Sequence, residues 1–346
     1  MVHAGQRNIL SLLLISAMVL LISAMVLFSG LPSQASAQQS LIIATATTGG
    51  TFYPVGVAVG TLVTVKLAKS DKITATAINS AGSGENIQML KNNECDLAII
   101  QGLYAAQAFN GKGSYEGRPM KMMSAITMLW QNVEHFAVLS KYARTGTVAD
   151  LKGLDERFSI GKRGSGSAGS GRTILGALDI TPDQDFDTEY LGYTPSVQAM
   201  MDNRIVGANI PAGPPASAIT QMYATLGDKA TVLNFTDQQL GKINSFYNIW
   251  TRFVIPADTY PGQKSAINTI AQPNLLVVSN ALSEDTVYKI TKTIYENLAF
   301  LRNSHKATNV MSLQNAMTGL SMPLHPGAIK YYREMGLEIP PQLIAH

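Results

Sequence analysis

An α/β fold of two lobes, with the chain crossing twice between them and ending in helices, is what this sequence predicts. Three observations carry the expectation. Apolar β-prone runs alternate with helix-patterned runs, as parallel βα units covered on both faces require. The alternation comes in two sets, parted by the single run HFAVLS at 135–140. After Ser283 strand patterning stops and helical spacing takes over. A chain of 346 residues is long enough for two lobes, each with its own core.

The first segment, 1–37, reads as a leader. Arg7 precedes an uncharged apolar run from Ile9 to Phe28, and Ala35-Ser36-Ala37 forms a small-x-small site. Basic start, apolar middle and small-residue site predict a secretory signal peptide cleaved after Ala37. The run is long because LISAMVL at 14–20 is repeated unchanged at 21–27. Left uncut, it is about long enough to act as an N-terminal membrane anchor.

The first part of lobe 1 spans 38–135. Its expected strands are 41–46, 73–78, 96–101 and 122–128, with helices at 54–69, 85–92 and 104–109 between them. The second lobe is 136–250, with a candidate connecting strand, 135–140, at its start. It has strands at 157–161, 187–191, 205–210 and 231–233, and helices near 168–178, 194–202 and 214–226. Strands at 248–255 and 267–278 return the chain to lobe 1, which resumes over 251–346. SEDTVYKITKTIYENLAFL then has a Ser cap, early acids and apolar residues at helical spacing. A cleft between the lobes follows from this layout, because ligands of such sheets sit at the carboxyl ends of strands.

Composition narrows the function classes. There are 26 basic and 23 acidic residues, with no basic run interleaved with aromatics, which argues against nucleic acid as a partner. The single cysteine, Cys95, cannot form an internal disulfide and precedes a buried run, so it reads as a core thiol. Beyond the leader, His135, His305, His325 and His346 stand far apart in sequence, without metal-ligand spacing. Neither a nucleophile elbow nor a Walker loop is spelled. The sequence therefore names no catalytic residue, no metal ligand and no cofactor. His135 reads first as a hydrogen-bonded structural residue.

Chemistry concentrates in three strand-to-helix loops: TTGGTFYP at 47–54, NSAGSGEN at 79–86 and GKRGSGS at 161–167. Gly164, Gly166 and Gly169 match the G-x-G-x-x-G spacing of dinucleotide folds, with Asp187 and Glu189 about where a ribose-binding acid would fall. An exported protein with two sister loops favours a different anion. Each loop offers glycines, hydroxyls and a helix start with free N–H groups, which together receive an anionic group well. Any one loop is equally explained by turn and cap chemistry; three in series point to a small anion with several oxygens. Tyr53, Tyr104 and Tyr193 follow strand ends, where a ring can line a cleft or simply pack.

TATTGGTFYPVG at 45–56, NSAGSGENIQMLKNNECDLAIIQ at 79–101, GKRGSGS, IPADTYPGQ at 255–263 and PLHPGAIKYYREMG at 323–336 follow one another along the chain. With these motifs the chain resembles the TAXI family of extracytoplasmic solute receptors, which serve tripartite ATP-independent periplasmic (TRAP) transporters. The resemblance runs over nearly all of the chain beyond the leader. It implies a two-lobed periplasmic-binding-protein type II-like fold with two hinge crossings, located in the periplasm. It also implies capture of a dicarboxylate or an acidic amino acid such as glutamate, and delivery to the membrane subunits of a cation-coupled TRAP transporter. The membrane would be met only through that partner or an uncleaved anchor.

Carried over residue by residue, the family's ligand loops fall on Gly49, Gly50, Thr51 and Tyr53, on Ser80 to Gly84 with Gly82 and Ser83 within it, on Gln101, and on Gly164, Ser165, Gly166 and Ser167. The stretch from Pro211, which includes Pro214, looks like the far side of the cleft, and Tyr193 joins the candidate ligand residues. Three departures stand out. Ser167 replaces the usual Thr, Ile205-Val206-Gly207 lacks the family's acid, and Lys162-Arg163 occupy a place usually small or apolar. Two added cations and one lost acid favour a more anionic ligand, if both cations reach it. The same bilobed module could instead present its ligand to a membrane signalling partner, and an exported enzyme is the third class.

Overall fold

The computed structural model describes residues 38–345, so the expected leader at 1–37, its cleavage site and His346 lie outside the described residues. In chain order the first set is β1 (Gln39–Ala44), α1 (Phe52–Leu67), β2 (Ile73–Ile78), α2 (Ser83–Lys91), β3 (Leu97–Gln101), α3 (Gly102–Asn110) and β4 (Met123–Val133). The second set is β5 (Phe136–Leu139), β6 (Arg157–Ser159), α4 (Gly166–Ala177), β7 (Asp187–Glu189), α5 (Tyr193–Met201), β8 (Gly207–Asn209), α6 (Ser217–Leu226), β9 (Ala230–Val232) and α7 (Asp237–Asn244). Then come β10 (Thr251–Ile255), β11 (Ile267–Ser279), α8 (Glu284–Glu296), α9 (Leu298–Ser304) and α10 (Pro326–Glu334).

These strands form two mixed sheets, and the fold is the α/β, two-lobed type that the alternation predicts. In the first sheet the order is β10-β11-β3-β1-β2, with β4 also paired to β11. β1, β2 and β3 run parallel, whereas β11 is antiparallel to β3, β4 and β10. The second sheet has the order β7-β6-β8-β5-β9. There β6 is parallel to β7 and β8, and β5 is antiparallel to β8 and β9.

Side-chain alternation builds the cores. Successive residues of a strand point to opposite faces, so Phe136 and Val138 of β5 enter one cluster while Ala137 and Leu139 enter another. Phe158 sits fully buried in the first of these against Phe136 and Phe186, and Phe136 in turn meets Phe235 edge-on. The first sheet is covered by α1, whose Val55, Val59, Leu62 and Val63 are buried, and by the C-terminal helices. α8 starts where the sequence predicts: Ser283 Oγ accepts from Thr286 N–H at 3.1 Å, and Glu284 and Asp285 fill the first turn. Cys95 is buried in the first core, and desolvation there, with Asp96 nearby, pushes its thiol up to about 12.

The structure corrects several element boundaries. β4 does not stop at 128; it runs to Val133 because β11 pairs with it from Ser279 down to Ala271. The run at 135–140 is more than a connection, for β5 lies between β8 and β9 inside the second sheet. α7 was not expected from the apolar pattern, since of its residues only Ile243 is buried. Its signal was local: Thr236 and Gln239 form a reciprocal capping box. β10 and the start of β11 belong by hydrogen bonding to the first sheet, yet Ile255, Tyr260, Ile267 and Ala271 pack into a core of the second. The return from the second lobe is thus made along β11 rather than at one residue near 250.

Candidate functional site

The three Gly/Ser loops meet between the sheets. Each ends at a helix start: α1 at Phe52, α2 at Ser83 and α4 at Gly166. The cavity they surround is lined by Ala46, Thr47, Gly50, Thr51, Phe52, Ala81, Gly82, Ser83 and Gln101 from the first lobe. From the second come Lys162, Ser165, Gly166, Ser167, Gly192, Tyr193 and Pro211. As closed here the cavity volume is about 20 Å3, room for about one water molecule. Among the described residues Lys162 is the only charged one in the lining.

The polar groups have fixed roles. Ser165 caps α4, its Oγ accepting from Ala168 N–H at 3.1 Å, which leaves the hydroxyl hydrogen for another acceptor. Tyr193 donates to Pro211 O at 2.7 Å; its one proton is thereby used, so Ser167 donates to Tyr193 Oη at 2.8 Å. Burial, and secondarily the Glu134 carboxyl nearby, holds the Tyr193 phenol well above its ordinary value. Ser83 Oγ accepts from Gln101 N–H at 3.0 Å. The Gln101 side-chain Oε1 is buried without a partner, an acceptor left open at the cavity.

The lobes touch around the cavity, so the cleft is closed. Thr51 Oγ1 donates to Gly213 O at 2.8 Å, and Tyr104 Oη donates to Ser165 O at 3.1 Å. Ala218 N–H donates to Gly49 O at 3.2 Å, and Glu85 N–H to Gly164 O at 3.1 Å. Two glycines of α4 make this approach possible. A Cβ at Gly166 would lie 2.6 Å from Gln101 Oε1 and from Ser83 Oγ, and one at Gly169 would collide with the Tyr104 ring and hydroxyl. The third glycine of the G-x-G-x-x-G spelling therefore faces the opposite lobe.

The structure gathers nine of the candidate residues at the cavity: Gly50, Thr51, Gly82, Ser83, Gln101, Ser165, Gly166, Ser167 and Tyr193. The others stand elsewhere, for stated reasons. Gly49 and Gly164 spend their carbonyls on the lobe contacts above. Ser80 braces its loop, lying 2.6 Å from Asn86 Oδ1, while Asn86 Nδ2 donates to Thr45 O and Ile99 O. Tyr53 yields its place to Phe52, which packs edge-on to Trp130 with centroids 5.7 Å apart. Pro214 lines a separate groove with Gln131, Phe253 and Lys306. Of the paired cations, only Lys162 reaches the cavity; Arg163 stacks on the Tyr190 ring at 3.6 Å, on another face. Pro211 opens the stretch expected on the far side of the cleft, whereas Phe52 and Gly192 were not singled out as ligand residues.

His135 is structural. Its Nδ1 lies 2.9 Å from Val133 O and its Nε2 2.8 Å from Tyr260 Oη, and burial pushes the imidazole down to about 4. Among the described residues no group of three or more His, Cys, Asp or Glu is placed to hold a metal ion. No helix among them is long and apolar enough to cross a membrane.

Comparison with known proteins agrees with this geometry at the level of the fold. A family model described as the NMT1-like family matches residues 43–336. MatC from Rhodopseudomonas palustris, solved with bound malate, is similar at 13% identity over 86% of this chain and 98% of its own, with a TM-score of 0.53. The binding-protein component of an ABC phosphonate transporter from Pseudomonas aeruginosa is similar at 11% identity over 77% of this chain and 78% of its own, with a TM-score of 0.51. Both likenesses are of fold.

Proposed function

This chain belongs to the NMT1-like family, and from that premise we propose that it is an extracytoplasmic solute receptor. It captures a small organic anion between its lobes and delivers it to the membrane subunits of a cation-coupled TRAP transporter. The observation that carries the reading is the convergence of three helix starts on one cavity where, among the described residues, Lys162 is the only charged one in the lining. Free N–H groups and the dipole at each start favour a carboxylate. The open Ser165 hydroxyl adds a donor, and the unpartnered Gln101 Oε1 asks for one. A dicarboxylate or an acidic amino acid such as glutamate supplies both charges, and the latter also supplies an N–H; the malate bound by MatC is of the same class. Closure then needs no covalent step, because a ligand that touches both lobes shifts the open–closed equilibrium by its contacts. We place the protein in the periplasm, its leader removed after Ala37.

A thermal-shift series with L-glutamate, succinate, malate and neutral amino acids tests this, since a ligand of the folded state raises the midpoint. The anions should raise it and the neutral compounds should not. Ser165→Asp, which sets a carboxylate at the cavity, should abolish the shift while leaving the circular dichroism unchanged. A wild-type response in that variant would remove the third loop from the site.

A further inference from the structure

Behind the cavity wall a carboxyl is buried with no cation beside it. Glu134 occupies the step between β4 and β5 and is fully buried. Its N–H donates to Ile270 O at 2.9 Å, and its carbonyl accepts from Thr269 Oγ1 at 2.6 Å. Ser170 of α4, Gln272 of β11, Trp250 and Asn209 of β8 face the carboxyl. Among the described residues neither carboxyl oxygen has a hydrogen-bond partner of good geometry, and Trp250 Nε1 and Gln272 Nε2 are also without one. An ionised carboxyl so placed has lost water and gained no counter-charge, which favours the neutral acid.

These neighbours reach both lobes. Gln272 Oε1 accepts from Leu103 N–H, in the first turn of α3, at 2.8 Å. Ser170 Oγ and Asn209 Nδ2 both donate to Ser167 O at 3.4 Å, and Ser167 lines the cavity. Gln272 thus stands between Glu134 and α3, and Ser170 and Asn209 stand between it and the anion site. The other titratable groups nearby are committed. Tyr193 of α5 is bonded to Ser167 and Pro211, His135 to Val133 and Tyr260. Arg252 of β10 holds Phe235 O, Thr269 O and Asp237, and Arg172 of α4 reaches Tyr190 and Asp183. β4, β5, β8 and β11 carry no acid or base of their own.

We propose that Glu134 is a positioning residue that carries a proton when the cleft is closed on its anion, so that capture takes up one proton. The proposal rests on reading the cavity as an anion site. The proton enters from solvent on closure and returns to it on opening. Ionised, Glu134 would draw Ser170 and Asn209 from the Ser167 carbonyl, loosen the first turn of α4 and set a like charge behind the bound anion. Burial, against the opposing pull of Ser170, Gln272, Trp250 and Asn209, already pushes its carboxyl up to about 7, and an arriving anion raises it further.

Calorimetric titration of the mature chain with L-glutamate, succinate and malate, in two buffers of different ionisation heat at pH 7.5, counts the protons. More than about half a proton should be taken up per anion, with affinity falling roughly tenfold from pH 6.5 to 8.5. Glu134→Gln should take up none and bind with the acid-side affinity across that range, and the infrared band of a neutral carboxylic acid in the wild-type complex should vanish. A purely structural role would move stability alone. Binding with buffer-independent heat, or a pH slope that survives in Glu134→Gln, overturns the coupling but leaves the anion site standing. Failure of all three anions to bind overturns both. The wild-type buffer series decides without the variant, should Glu134→Gln not fold.

Discussion

Lys162 and Arg163 are adjacent in sequence and face different surroundings. Lys162 borders the cavity, whereas Arg163 is stacked on Tyr190. Lys162→Ala should weaken anion binding about three- to tenfold at low ionic strength, with the difference shrinking in salt. Arg163→Ala should leave affinity within about twofold, because its charge faces another groove; isothermal titration at two salt concentrations separates them. Sequence alone gave the pair one role, since a loop's spelling does not say which way its side chains turn. Ser165 was legible as a hydroxyl at a helix start, and Gln101 as a strand-end amide. Glu134 was not legible at all. Its surroundings come from residues 170, 209, 250 and 272, and only the folded chain brings them together.

Helix α4 joins the cap, the cavity and the lobe contact in one element. Ser165 and Ser167 serve its ligand side, while Gly169 meets Tyr104. Gly169→Ala adds helix propensity, worth up to about 1 kcal/mol, so the ligand-free thermal midpoint should hold or rise. The new methyl would meet Tyr104 only in the closed cleft, so affinity should fall at least about tenfold. Adding Tyr104→Phe, which removes the hydroxyl nearest that methyl, should restore part of it. A loss of stability in place of affinity would show that the contact is not specific to closure. At this scale the helices with apolar stripes or Ser caps were readable from sequence. α7 escaped because it buries so little, and the end of β4 escaped because its partner strand lies more than a hundred residues onward.

Across the whole molecule, two adjacent buried groups oppose each other in acid. Glu134 has its folded value raised from 4.5 to about 7. Its contribution to stability is full below about 4.5 and is lost as pH rises through 7. His135 has its value lowered from 6.5 to about 4, so its contribution is full above 6.5 and is lost as pH falls through 4. Between about pH 4.5 and 6.5 the two slopes cancel. Urea denaturation should show Glu134→Gln losing stability on acidification through that window, and His135→Asn gaining it. Parallel slopes in both variants would contradict the opposed titrations.

That pair sits where β4 leaves the first sheet, and β4 is paired along its length with β11, with register shifts between Asn274 and Leu275 and between Leu276 and Val277. Such irregularities raise local twist. Over those same steps β11 is also hydrogen-bonded to β3, and over Ile267–Ala271 to β10. The crossing is thus a beam built into the first sheet, clamped on both edges, rather than a free ribbon.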